Sequence, residues 1–317
     1  MSKRSVISIG NFDGVHLGHR AILAHARALA RERDAEMVVL TFDPHPARTL
    51  RPGTEPPRLT SVHEKVDRLQ AAGADRVVVL EPTPAMLGQT AEQFVEKIVA
   101  DFAPLAIVEG PDFRFGKGRA GDLAMLAELG RQFDFELIVE PRVEVALSDW
   151  AVVPVSSSLT RWLVGHGRVL DAARLLGGLF ELTGSVATGE QRGRTIGVPT
   201  ANLDPAAYSD HIVPADGVYA GTVTVPDGQT HPAAISVGVK PTFGQRQLVV
   251  EAHLLDYAGN LYGETVTFRF ARWVRDQYPF PNLDSLTRQI HRDVALTRHW
   301  HEQGLLAPPK HAPRRAG

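Results

Sequence analysis

The chain has no cysteine among its 317 residues. Disulfides, thiolate nucleophiles and cysteine-based zinc sites are excluded, and a reducing compartment suits such a chain. Charge of one sign is also missing, because 34 basic residues against 36 acidic ones leave a formal charge of -2. That balance offers no broad electrostatic footprint for nucleic acid or an acidic membrane. Aromatic residues make up 7%, too few and too little mixed with basic ones to build the stacking platforms of a single-strand binder. No apolar run approaches the ~20 residues of a membrane span, and MSKRSVISIG enters a β-branched stretch at once, with no leader-like segment. A cytoplasmic protein with neither nucleic-acid nor membrane partners is expected. Composition says nothing of its oligomeric state.

What is present is the make-up of an ordinary globular protein, 44% hydrophobic and 22% charged, long enough for about two domains. The two halves follow different patterns. Up to about residue 180, short apolar strands (VISI, EMVVLTF, RVVVL, LAIVEG, FELIVE) alternate with amphipathic helices. This alternation predicts a doubly wound α/β domain whose parallel sheet is covered on both faces. The stretch SSSLTRWLVGHGRVLDAARLLGG reads as two short helices that close the domain. From Thr183 onward, short strands separated by turns predict a small antiparallel β-barrel, followed by the helix LDSLTRQIHRDVALTRHW. The expected division is therefore 1–182, 183–305 and a frayed, proline-rich tail at 306–317.

In the first half, three polar segments directly follow strands: GNFDGVHLGH, TFDPHP and EGPDFRFG. Ligands of open α/β sheets bind beyond the carboxyl ends of the strands, so the three should meet at one cleft. His16 and His19 stand three apart where a strand becomes a helix, beside the free N–H groups that suit an anion. A metal half-site and two solvent-facing histidines remain as alternatives. Gly10, Gly14 and Gly18 allow close backbone approach. Ser156, Ser157 and Ser158 can cap a later helix that carries Arg161 in its first turn, and together these features favour a triphosphate.

In the second half, Pro199 keeps Val198 extended, which places Thr200 and Asn202 on one face, where they can share a magnesium-bound phosphate. Glu251, in the apolar run QLVVEAHLLDY, either faces solvent or has a chemical task.

The motifs GNFDGVHLGH and VSSSLTR resemble those of the nucleotidylyltransferase superfamily. With TFDPHP and GPDFRFGKGRAGD, the first half is similar to the adenylyltransferase half of the bacterial bifunctional riboflavin kinase/FAD synthetases. GRTIGVPTANL, DGVYAG, VGVKPTFG and VEAHLLDYAGNLYGETV resemble the kinase half. The resemblance implies that riboflavin and ATP give FMN, and that FMN and ATP give FAD, with Mg2+ serving both steps. It further implies that His16, His19 and Arg161 act on the ATP phosphates, with Gly10, Asn11, Phe12, Asp13, Gly14, Gly18, Ser156, Ser157 and Ser158 around them. Asp112, Phe113, Arg114, Pro44 and His45 would form the flavin side. Phe113 and Phe115 alternate along an extended segment, so one of them at most should face the flavin ring. In the barrel, Gly193 and Gly197 would approach phosphate, Thr200 and Asn202 would hold the metal, and Glu251 would be the general base. Val198 and Ser236 depart from the usual phenylalanine and asparagine. A barrel that senses flavin without catalysing is the rival reading, and the two are separated by whether Thr200, Asn202 and Glu251 converge.

Overall fold

The computed structural model describes residues 4–188, 198–242, 245–309 and 314–315. Two compact units emerge. The first holds Met1–Val145, Val153–Val155 and Pro313–Gly317, and the second Ala146–Val152 and Ser156–Ala312.

The first unit is built on β1 (Ser5–Ile9), α1 (Leu17–Glu32), β2 (Glu36–Phe42), α2 (Pro46–Leu50), α3 (Val62–Ala71), β3 (Arg76–Leu80), α4 (Pro84–Leu87), α5 (Ala91–Phe102), β4 (Pro104–Glu109), α6 (Leu123–Phe133) and β5 (Glu136–Val139). The strands form one parallel sheet in the order β3-β2-β1-β4-β5, with the reversal between β1 and β4. Alternation along β1 explains the two layers: Val6 packs with Leu23, Ala26 and Leu29 of α1 and Leu69 of α3, while Ile7 and Ile9 pack with Phe94 and Ile98 of α5 and Leu126 and Leu129 of α6. Each large apolar side chain so buried is worth about 1.5–3 kcal/mol of transfer free energy. The sheet is the doubly wound arrangement expected from the sequence. A hairpin of β6 (Val143–Ala146) and β7 (Val152–Pro154) follows.

The second unit opens with α7 (Ser157–Gly165) and α8 (Val169–Leu176), the latter closed by Gly177 at φ 65°. The closed barrel consists of β8 (Phe180–Ala187), β9 (Ala201–Leu203), β10 (Gly217–Thr224), β11 (Thr230–Thr242), β12 (Gln245–Leu254) and β13 (Thr265–Arg275), in the order β10-β11-β12-β9-β8-β13. A helix, α9 (Leu283–Glu302), comes after it. The strand β8 already pairs Phe180 with Phe270, ahead of the division expected at residue 183. Ala173 of α8 and Leu306 are packed with Ala220 and Ala271 of the barrel, so Leu306 is not part of a frayed tail. The short β14 (Arg314–Arg315) pairs with β6.

Candidate active sites

The three motifs of the first unit follow β2, β1 and β4, which are neighbours in the sheet. After β1 the chain turns sharply, with Phe12 at φ 47° and Val15 at φ 43°. A β-branched residue in the left-handed region is costly, and such strain persists only where the surroundings hold it. Here they do. The Asp13 carboxylate accepts from the N–H groups of Leu59 and Thr60 at 3.0 and 3.2 Å, and Thr60 Oγ1 accepts from Gly14 N at 3.2 Å. Three carbonyls of the loop are held by cations: Asn11 O by Lys65 at 3.3 Å, Gly14 O by Arg68 at 3.4 Å and Val15 O by Arg20 at 3.0 Å.

His16 is the N-cap of α1 and is buried, and its Nδ1 accepts from His19 N at 3.3 Å. The neutral ring therefore keeps its proton on Nε2, as a donor. His19 stacks on His16 with centroids 3.6 Å apart and planes 13° off parallel, and Phe12 meets His19 edge-on at 5.1 Å. A Cβ on Gly18 would lie 3.2 Å from His16 Cε1, so the glycine lets the ring sit against the backbone. Gly10 likewise faces the Phe12 ring, at 3.3 Å.

The second motif joins the first where the Asn11 amide meets His45 Nε2 at 3.2 Å. His45 also caps α2, its Nδ1 accepting from Ala47 N at 3.1 Å, and it follows Pro44, which is joined to Asp43 by a cis peptide bond. The third motif turns at Pro111 and Asp112, where Phe113 N donates to Gly110 O at 3.2 Å, and Phe115 then bridges to Gly121 as an isolated antiparallel pair. The expected separation of the two phenylalanines is corrected, because positions two apart along an extended stretch share a face. Their rings stack at 5.5 Å, with Phe115 buried in the core and Phe113 half-buried above it. Asp112 and Arg114 are exposed and ion-paired, with Arg142 and Asp122 respectively.

Glu109 was not singled out by sequence. It ends β4, is 3% exposed and accepts from Ile9 N at 2.7 Å, across the point where the strand order reverses. Burial pushes its carboxyl well above the usual carboxylate range, and the Ile9 hydrogen bond opposes that only in part. A carboxylate at the end of an apolar strand was the available signal.

Ser156, Ser157, Ser158 and Arg161 belong to the second unit. Ser156 is the N-cap of α7, accepting from Leu159 N at 3.2 Å. Because the helix begins at Ser157, Arg161 falls just past its first turn, one step later than expected.

The barrel brings its candidates together. Thr200 Oγ1 donates to Glu251 Oε2 at 3.2 Å, and Asn202 on β9 is the direct partner of Glu251 on β12. Glu251 is half-buried while its neighbours Val250 and Ala252 are fully buried, so the carboxylate stands on the face of the strand opposite the core. Ser236 pairs with Glu251 from the other side, on β11, and accepts from Gln277 Nε2 at 2.9 Å. Gln277 also donates to Val237 O and lies 2.7 Å from where a Gly238 Cβ would be. Sequence gave no reason to connect Gln277 with this strand. Val198 is buried, and Gly193 and Gly197 lie outside the described residues. Among the described residues, no cluster of three or more histidine, aspartate or glutamate side chains is arranged to hold a metal ion.

An open parallel sheet with a histidine-capped loop at its reversal point, together with a closed barrel that assembles a hydroxyl, an amide and a carboxylate, defines a two-unit protein built to handle phosphates. The first unit matches the FAD synthetase family over residues 1–151, and the second the riboflavin kinase family over residues 176–301. The bifunctional riboflavin kinase/FMN adenylyltransferase of Haemophilus influenzae is 34% identical over 92% of each chain. That of Pseudomonas fluorescens is 35% identical over 96% of this chain and 94% of its own. A solved structure described as a macrolide-efflux protein from Streptococcus pneumoniae is 31% identical over 95% of each chain, with a TM-score of 0.84. Among the described residues here, no helix is long and apolar enough to cross a membrane. The chain belongs to the family of bifunctional riboflavin kinase/FMN adenylyltransferases.

Proposed function

We propose that the chain performs two successive ATP-dependent steps. Riboflavin is phosphorylated to FMN in the barrel with release of ADP, and FMN is adenylylated to FAD with release of pyrophosphate through the α/β unit. The observation that carries this reading is the convergence of Thr200, Asn202 and Glu251 in the barrel of a chain whose other unit holds the stacked His16–His19 pair. A barrel that merely senses flavin would not need a carboxylate held beside a hydroxyl and an amide.

Glu251 is the general base for the terminal ribityl hydroxyl of riboflavin, and it must lie within hydrogen-bond reach of the proton it takes. Thr200, in contact with it at 3.2 Å, orients the carboxylate. Thr200 Oγ1 and the Asn202 amide oxygen are hard oxygen donors of the kind magnesium accepts, so this pair fits that ion. Magnesium when bound would neutralise phosphate charge.

The FMN phosphate is itself the nucleophile for the second step, so no covalent intermediate on the protein is required. The His16 Nε2–H and the His19 ring donate to charge that develops on the ATP phosphates. Asp13 and Asn11 hold the loop beneath them, and the segments containing Pro44, His45 and Phe113 border the flavin. Ser156, Ser157 and Arg161 keep the phosphate-gripping role implied by the resemblance. A cytoplasmic location and freedom from nucleic-acid partners belong to the same proposal.

Incubation with riboflavin, ATP and magnesium, followed by chromatographic separation of the flavins, tests both halves. FMN and then FAD are expected. Riboflavin left unconverted, with FAD still formed from added FMN, would restore the sensing barrel.

A further inference from the structure

Of the three cations that hold the loop after β1, Lys65 does more than the others. It lies on α3, is 6% exposed, and its Nζ donates to Phe42 O at 2.8 Å as well as to Asn11 O at 3.3 Å. Phe42 is the last residue of β2 and leads into the segment of Pro44 and His45, whereas Asn11 belongs to the loop of His16 and His19. One ammonium thus ties together two neighbouring strand ends at the point where each becomes a motif. Thr41 Oγ1 reaches the same Asn11 carbonyl, at 3.1 Å.

A buried lysine is rarely a matter of packing, because its charge must be desolvated and a methionine would fill similar space at no such cost. Burial does lower the Lys65 pKa from the ordinary lysine range, with Arg58 adding to the effect and Asp13 and Asp43 opposing it. What an ammonium supplies and a methionine cannot is several donors from one point, aimed here at two carbonyls of different segments.

We propose that Lys65 is a positioning residue for FMN adenylylation: it sets the loop of His16 and His19 against the segment of Pro44 and His45, and hence the approach of the flavin phosphate to the α-phosphorus of ATP. The inference rests on the adenylyltransferase reading of the first unit. Each segment retains its own groups for its own substrate, so losing Lys65 disturbs alignment more than binding. Alignment is the dominant contribution where the protein offers no covalent chemistry, and a misplacement of about 1 Å costs on the order of 10²-fold. A fall in kcat with little change in KM is the signature of an interaction that matters in the transition state.

The test is Lys65→Met in the full chain, with FAD formation from FMN and ATP followed at varied concentrations of each. The kcat is expected to fall about tenfold or more, with both KM values within about threefold of the parent. Riboflavin phosphorylation by the same preparation should proceed at the parent rate. A parental kcat for FAD formation, or a raised KM with kcat unchanged, overturns the proposal. If Lys65→Met loses the melting transition of the first unit, Lys65→Arg decides instead. It keeps the charge but replaces a point donor with a planar fork. Reduced kcat at unchanged KM then supports the positioning role, and a parental kcat overturns it. A parent chain that makes no FAD would refute the adenylyltransferase reading itself, whereas a parent that makes FAD beside an equally active Lys65→Met variant refutes the inference alone.

Discussion

Glu251 accepts a hydrogen bond from Thr200 at 3.2 Å although the two are 51 residues apart in sequence. The contact exists because β9 and β12 are neighbours in the barrel, with Asn202 opposite Glu251. Substituting Glu251→Gln preserves the shape and removes the base. Riboflavin phosphorylation is expected to fall about 10²- to 10⁴-fold, while added FMN still becomes FAD. Steady-state rates of the two steps measured separately check this, and an unchanged kinase rate would make the carboxylate a surface group.

The stacked histidines predict the opposite separation. His19→Ala leaves the barrel untouched, so riboflavin should be converted to FMN and stop there. Loss of a donor to developing phosphate charge is expected to cost about 10²- to 10³-fold in FAD formation. Chromatography should show FMN accumulating; normal FAD output would remove His19 from the chemistry.

A milder perturbation of the same loop is Gly18→Ala. Its Cβ would sit 3.2 Å from His16 Cε1, so the ring must yield by a few tenths of an ångström. FAD formation should fall while the kinase rate holds. Equal loss of both activities would point to general unfolding instead.

Glu109 predicts a pH dependence of stability. Its folded-state pKa is raised by burial above the ordinary carboxylate value of about 4.3, so the folded state holds the proton more tightly than the unfolded one. Stability then declines as pH rises above the unfolded pKa towards the folded one, because the unfolded chain binds fewer protons over that range. Glu109→Gln removes the titration and keeps an acceptor for Ile9 N. The variant should melt higher than the parent at neutral pH and differ little near pH 4. Thermal melts across pH provide the comparison, and identical profiles would show that the carboxyl titrates normally.

The boundary between the units can be tested with fragments. We propose that residues 156–309 fold alone and phosphorylate riboflavin. A fragment starting at 183 cuts β8, removing Phe180 from its ring contact with Phe270 at 6.0 Å and Glu181 from its ion pair with Arg269 at 2.8 Å. It also lacks Ala173 of α8. The shorter fragment should melt lower or aggregate, and equal melting temperatures would return the boundary to residue 183.

The sequence alone determined the two architectures and most of the candidate residues. Hydrophobic period is a local property: all-apolar strands between amphipathic helices indicate a covered parallel sheet, and short alternating strands with turns an antiparallel one. Motifs such as GNFDGVHLGH and QLVVEAHLLDY place chemistry-bearing groups within a few residues of each other, so they too are visible along the chain. Tertiary structure decided the relations between segments distant in sequence. It brought Thr200 to Glu251, Gln277 to Ser236 and Lys65 to both Asn11 and Phe42. It also put Phe115 into the core and left Phe113 half-buried beside it. None of these follows from period or spacing, because strand order, register and burial arise only when distant segments compete for the same partners and the same core.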